Sequence, residues 1–136
     1  MNIEKELRDA LVAMDAVTAL VSTRIWDEWF RTSTLPAVVY EFDYEDMEPT
    51  LEGTCGHVIA SVNIICRADT RADSRDLAEA VQTNGTTPGT GLNGYDDTFQ
   101  AFCESRANAA VPKSEGSNDY FYDTNLDYRI HFYEDV

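Results

Sequence analysis

The sequence predicts an α+β fold: one domain, a mostly antiparallel sheet of four or five strands, an N-terminal helix, and a second helix packed on one face. Three observations predict it. Apolar residues alternate with polar ones along Val38–Tyr44, Val58–Cys66 and Leu126–Tyr133, the period-two signature of strands. Between the second and third of these runs, Leu77, Ala78 and Val81 fall at helical spacing. An amphipathic stretch, Ile3–Met14, opens the chain. At 136 residues with 43% hydrophobic side chains, a domain buries roughly two-thirds of its unfolded surface, enough for a core.

The elements follow in order. Asn2 is placed to cap the first helix, and Glu4 and Glu6 lie in its first turn, where the helix dipole favours acids. Ile3, Leu7, Ala10, Leu11 and Met14 form its apolar face. Asp15 is expected to cap a short second helix that sets Val17, Leu20 and Val21 against the core. Arg24–Phe30 fits a helix by the spacing of Trp26, Trp29 and Phe30 and a strand by its composition. Pro36 disfavours helix at Leu35 and opens a strand. Glu45–Gly56, with Pro49, Gly53 and Gly56, reads as a hairpin loop. Val58–Cys66, apolar on one face and mixed on the other, reads as an interior strand. Thr70 followed by Asp73 is a weak capping box for the helix at 71–82. Asn84–Gly94 has loop composition, Phe99–Glu104 alternates again, Pro112–Ser117 is a turn, and Tyr120–Tyr122 suits one more short strand.

Charge narrows the function. Ten Lys and Arg against 25 Asp and Glu leave a formal charge of −15. Affinity for nucleic acid comes mainly from neutralising phosphates with cations, so tight DNA binding is excluded while standing beside DNA is not. A surface made acidic for solubility or for a salty habitat accounts for the same charge. The three cysteines, Cys55, Cys66 and Cys103, are scattered, without a CxxC pair or a signal peptide, so reduced thiols are expected. The longest apolar run is far short of the ~20 residues that span a bilayer, so no membrane partner is expected.

No motif for catalysis or metal binding stands out. Pro88–Gly91 resembles a phosphate loop but lacks its GK[ST] ending and precedes a strand, so it reads as a hairpin tip. Cys55, His57, Cys66, Cys103 and His131 could ligate zinc, yet only one pair is close, and Cys66 and Cys103 read more simply as small core residues. The acidic run Glu41, Asp43, Glu45, Asp46 and Glu48 does not match a calcium loop. No nucleophile elbow is present, and no pair of carboxylates stands in visibly opposed environments. Trp26, Trp29 and Phe30 fit either core packing or an interface. The residues alone therefore define a small acidic α+β domain with no visible active site and no cofactor.

The order of segments, however, resembles the tail-completion, or tail-terminator, proteins of long-tailed (siphovirus-like) bacteriophages. The likeness covers roughly the first 83 residues by segment order. It rests on the entry helix, Ala16–Val21 leading to Arg24-Ile25, the strand at Leu35–Tyr40, and Ala78–Val81 after the alternating strand. The double Trp and the glycine-threonine loop depart from the family's usual look. The resemblance implies a structural virion protein, made in the host cytoplasm and spanning residues 1–136 as one tail-terminator-like domain. It implies a ring, hexameric in the family, that caps the tail tube protein, stops tube growth and meets a head-completion or connector protein in the neck. DNA would pass through the lumen without specific binding. On this reading the interface draws on Trp26, Trp29 and Phe30, on Glu45, Asp46, Glu48 and Glu52 of the acidic loop, and on Thr86, Thr87 and Thr90 of the glycine-rich loop. The alternatives are a small intracellular enzyme or ligand-binding domain using the acidic cluster or the Cys/His set, and a neighbouring head-completion protein.

Overall fold

A computed structural model describes residues 3–31, 34–50, 53–85, 91–93, 95, 99–116 and 118–133, with 44–50, 53–57 and 133 described by their backbone. The elements are α1 (Ile3–Val12), α2 (Asp15–Val21), β1 (Ile25–Asp27), β2 (Ala37–Thr50), β3 (Gly53–Ala68), α3 (Arg71–Thr83), β4 (Phe99–Pro112) and β5 (Tyr120–Tyr133). The strands form one sheet in the order β1-β2-β3-β5-β4. β1 runs parallel to β2, and the remaining neighbours are antiparallel. The α+β class is as expected. The ambiguous Arg24–Phe30 segment contributes the short parallel strand, which makes the sheet mixed.

The core lies on one face of this sheet. Val58, Ala60, Val62, Ile64 and Cys66 of β3 and Leu126, Tyr128, Ile130 and Phe132 of β5 are buried there. They share one cluster with Leu7 and Leu11 of α1, Val17 and Val21 of α2, and Leu77, Ala78 and Val81 of α3. Each such aliphatic side chain contributes about 1.5–3 kcal/mol by leaving water. On the other face Ile59, Ser61, Asn63 and Ile65 are half-buried, as the central position of β3 predicts.

Local chemistry explains most element ends. The Thr70 hydroxyl accepts a hydrogen bond from the Asp73 amide at 3.1 Å, capping α3. Asn84 ends α3 in the left-handed region (φ 53°), and its side-chain oxygen accepts from the Ala16 amide, tying α2 to α3. α2 departs from expectation. Its N-cap is Met14, with no side-chain cap bond, and Asp15 is its first residue, favoured there by the dipole alone. A helix of seven residues presents one short stripe, so Val17 and Val21 are buried while Leu20 is exposed.

The expected acidic loop is not a loop. β2 continues to Thr50 and β3 begins at Gly53, with Thr50 opposite Gly53 and Pro49 opposite Thr54. Pro49 is tolerated because it sits on the outer strand of the hairpin, next to a register shift between Met47 and Pro49. The described pairing of β3 with β5 begins at His57 opposite Tyr133, so among the described residues the tip of the hairpin is paired only between β2 and β3. β4 likewise runs on to Pro112, and Tyr120–Tyr122 is the start of β5.

Candidate interaction surfaces

Among the described residues, no group of three His, Cys, Asp or Glu could hold a metal ion. Cys66 is buried, and burial pushes its thiol up to about 12, which suits a core residue and not a nucleophile. Cys103, expected in the core, is exposed. It lies on β4, the last strand of the sheet, opposite Tyr128, where the Gln82 side chain of α3 donates to its sulfur at 3.6 Å. His131 sits edge-on to Phe102, 5.5 Å between ring centres. The side chains of Cys55 and His57 lie outside the described residues.

Polar chemistry that the sequence did not reveal sits at the end of the sheet where β3 leaves and β5 enters. Arg67 donates to both carboxylate oxygens of buried Asp123, at 2.8 and 2.9 Å. Its guanidinium lies between the rings of Phe30 (4.3 Å) and Phe121 (4.7 Å). Buried Ser74 donates to the Cys66 carbonyl at 2.9 Å and bonds the Thr124 hydroxyl at 2.8 Å. The Thr124 hydroxyl, whose one proton serves Ser74, also lies 3.3 Å from the Asn108 side-chain oxygen, with which it shares that proton. These bonds link α3, β3, β5 and β4. Their only sequence signal was a polar residue standing on an otherwise apolar stripe.

The aromatic candidates separate. Phe30 packs on Arg67, Trp26 is half-buried on β1 beside Val39, and Trp29 is 61% exposed. Arg31 lies over the Trp29 ring at 5.7 Å and pairs with Asp27 at 3.0 Å. Trp29 is thus the one of the three that is exposed.

The acidic candidates Glu45, Asp46 and Glu48 all lie on β2, not in a loop, while Glu52, like Thr86, Thr87 and Thr90, lies outside the described residues. Where the remaining ends of the glycine-rich segment are described, they are anchored. The Leu92 and Asn93 amides donate to the Val81 and Gln82 carbonyls at 2.9 Å, and Leu92 is buried. The Tyr128 hydroxyl donates to Asn93 at 2.6 Å.

Two acidic grooves flank β2. One, about 450 Å³, is lined by Asp43, Glu104 and Asp127 over Ser61, between register shifts in β2 and β4 that lie at the same level of the sheet. The Ser105 hydroxyl donates to Asp127 there at 2.8 Å. The other, about 250 Å³, gathers Glu4, Asp27, Glu28, Glu41 and Asp43 around Tyr40. Burial raises the Tyr40 phenol, and the Asp27 charge adds to it, so the tyrosine stays neutral.

The molecule is therefore an acidic α+β protein with carboxylate-lined grooves on its sheet. It is a structural protein of phage tails: the chain belongs to the tail completion protein gp17 family, whose model matches residues 5–84. That match runs from α1 to the Asn84 cap of α3, leaving β4 and β5 beyond it. No curated protein matches the chain.

Proposed function

We propose that the protein closes into a six-membered ring on the last ring of the tail tube, stops tube growth there, and joins the tail to the head connector without doing chemistry. The observation that carries this reading is the family match over α1–α3. The charge is its physical complement. Six copies at −15 bring 6 × −15 = −90 around the channel, and a lumen of carboxylates repels the passing phosphate backbone where a basic one would trap it. Exposed Trp29 and the acidic β2–β3 hairpin are the surfaces offered to the tube or connector.

The test is a phage lacking this chain, viewed by electron microscopy. Tails of uncontrolled length that fail to join heads, rescued by adding purified protein, are expected. Tails of normal length already joined to heads in its absence overturn the reading.

A further inference from the structure

The sheet ends in two open edges that are complementary to each other. On one side, β1 covers β2 only at Val38–Tyr40. The chain then turns away at Glu28, in the left-handed region (φ 71°), whose amide makes the last bond to the Tyr40 carbonyl. Beyond it, among the described residues, no strand pairs with the outer edge of β2 from Glu41 to Thr50. On the other side, β4 is the last strand, and its start is covered where the Ala101 amide donates to the Tyr95 carbonyl. From Phe102 to Pro112 no further strand pairs with its outer edge among the described residues. Long open edges invite pairing with another chain.

Charge says which chain. Glu41–Thr50 contains five acids, Glu41, Asp43, Glu45, Asp46 and Glu48, and no Lys or Arg. The open stretch of β4 with the residue after it, Phe102–Lys113, carries Arg106 and Lys113 against one acid, Glu104, in a protein with 25 acids against 10 cations; within the chain Arg106 donates to Gln82, Lys113 pairs with exposed Asp69, and Glu104 pairs with Arg129. Ala107, Ala109 and Ala110 in this stretch are small enough to let a strand approach. We propose that β4 of one copy pairs with β2 of the next, Ser105–Pro112 lying along Glu41–Thr50, so that the sheets join edge to edge; this rests on the ring reading above and names its interface.

Direction and position agree. β4 runs antiparallel to β2 within the sheet, so a copy rotated about a ring axis brings the two edges together antiparallel, the arrangement of every long pair in the molecule. The covered stretches lie at opposite ends, since Arg106 shares its level with Tyr40 and Ala101 with Glu45. Neighbouring copies are therefore stepped along the strands, the stagger that tilted strands of a closed sheet require. The acidic groove around Tyr40 opens at the start of the β2 edge, where it receives the cationic end of β4. One edge used on each side is a heterologous contact, the kind that forms a ring when the rotation between copies closes.

The experiment measures assembly of the full chain by analytical ultracentrifugation up to about millimolar concentration, where even weak contacts of this size populate. The pairs Arg106→Glu with Lys113→Glu, and Glu41→Lys with Asp43→Lys, should each weaken self-association at least about tenfold. Mixing the two variants should restore it, and Lys5→Glu, on the exposed face of α1, should leave it unchanged. In a Cys55→Ser, Cys103→Ser background, Asn108→Cys with Glu45→Cys should give a disulfide between copies. A wild type that assembles while every variant assembles equally, with no cross-link, overturns the edge pairing and leaves the ring. A chain that stays monomeric without cross-links overturns both. Cross-linking of Asn108→Cys in tails to the tube protein instead of a second copy also overturns the pairing.

Discussion

Single residues divide into those whose role is set by local chemistry and those set by burial. Cys66 and Cys103 have the same side chain and opposite fates, one beneath α3 and one on an exposed strand. At pH 8 an alkylating reagent is expected to modify Cys103 quickly and Cys66 only on unfolding, read by mass spectrometry of peptides. The Cys66 thiol, raised from 9.0 to about 12, keeps its proton in the folded state between pH 9 and 12 and loses it there in the unfolded one. Its contribution to stability is thus complete below pH 9 and falls by about 1.4 kcal/mol per pH unit above it. Denaturation midpoints that fall less steeply between pH 9 and 11 in Cys66→Ala than in the wild type check the sign. Asp123→Ala leaves the guanidinium of Arg67, itself mostly buried, without its carboxylate. A loss of about 3 kcal/mol is expected, measured by denaturant unfolding, with Asp123→Asn losing less because one acceptor remains.

At the scale of elements, α3 is held at both ends by specific contacts. Thr70 caps its start, and the Leu92 and Asn93 amides satisfy carbonyls at its end. That approach is possible because residue 91 is glycine: a Cβ there would overlap the Gln82 backbone. Gly91→Ala is expected to cost about 2 kcal/mol or more, seen as a lower melting temperature and faster amide exchange at Leu92 and Asn93. Alternation marked β3 and the second half of β5 with the correct inward residues, because those strands face one packed helical layer. It stopped short on β2 and β4. Pro49, Gly53 and Gly56 carry turn chemistry in isolation, but the β2–β3 hairpin and a register shift absorb them. The far half of β4, Ser105–Val111, has no apolar period because most of its side chains on both faces meet solvent.

At the scale of the whole molecule, charge governs what the protein touches. With −15 per chain and no basic run, the protein should leave the mobility of double-stranded DNA unchanged in a gel even at about 50 mM salt, where phosphate contacts are strongest. A shifted band would remove the argument for a repelling lumen. The α+β class, the helical stripe at 71–82, the hairpin joining residues 37 to 66 and the family itself were legible from period, punctuation and segment order, since each is a property of neighbours in the chain. The tertiary structure alone decided that Phe30 packs on Arg67, that Asp123 and Ser74 are buried, and that β2 and β4 are the strands whose outer edges are open among the described residues. These depend on pairings between residues 28 and 40, 67 and 123, and 95 and 101. Contacts across such separations leave no mark in local periodicity.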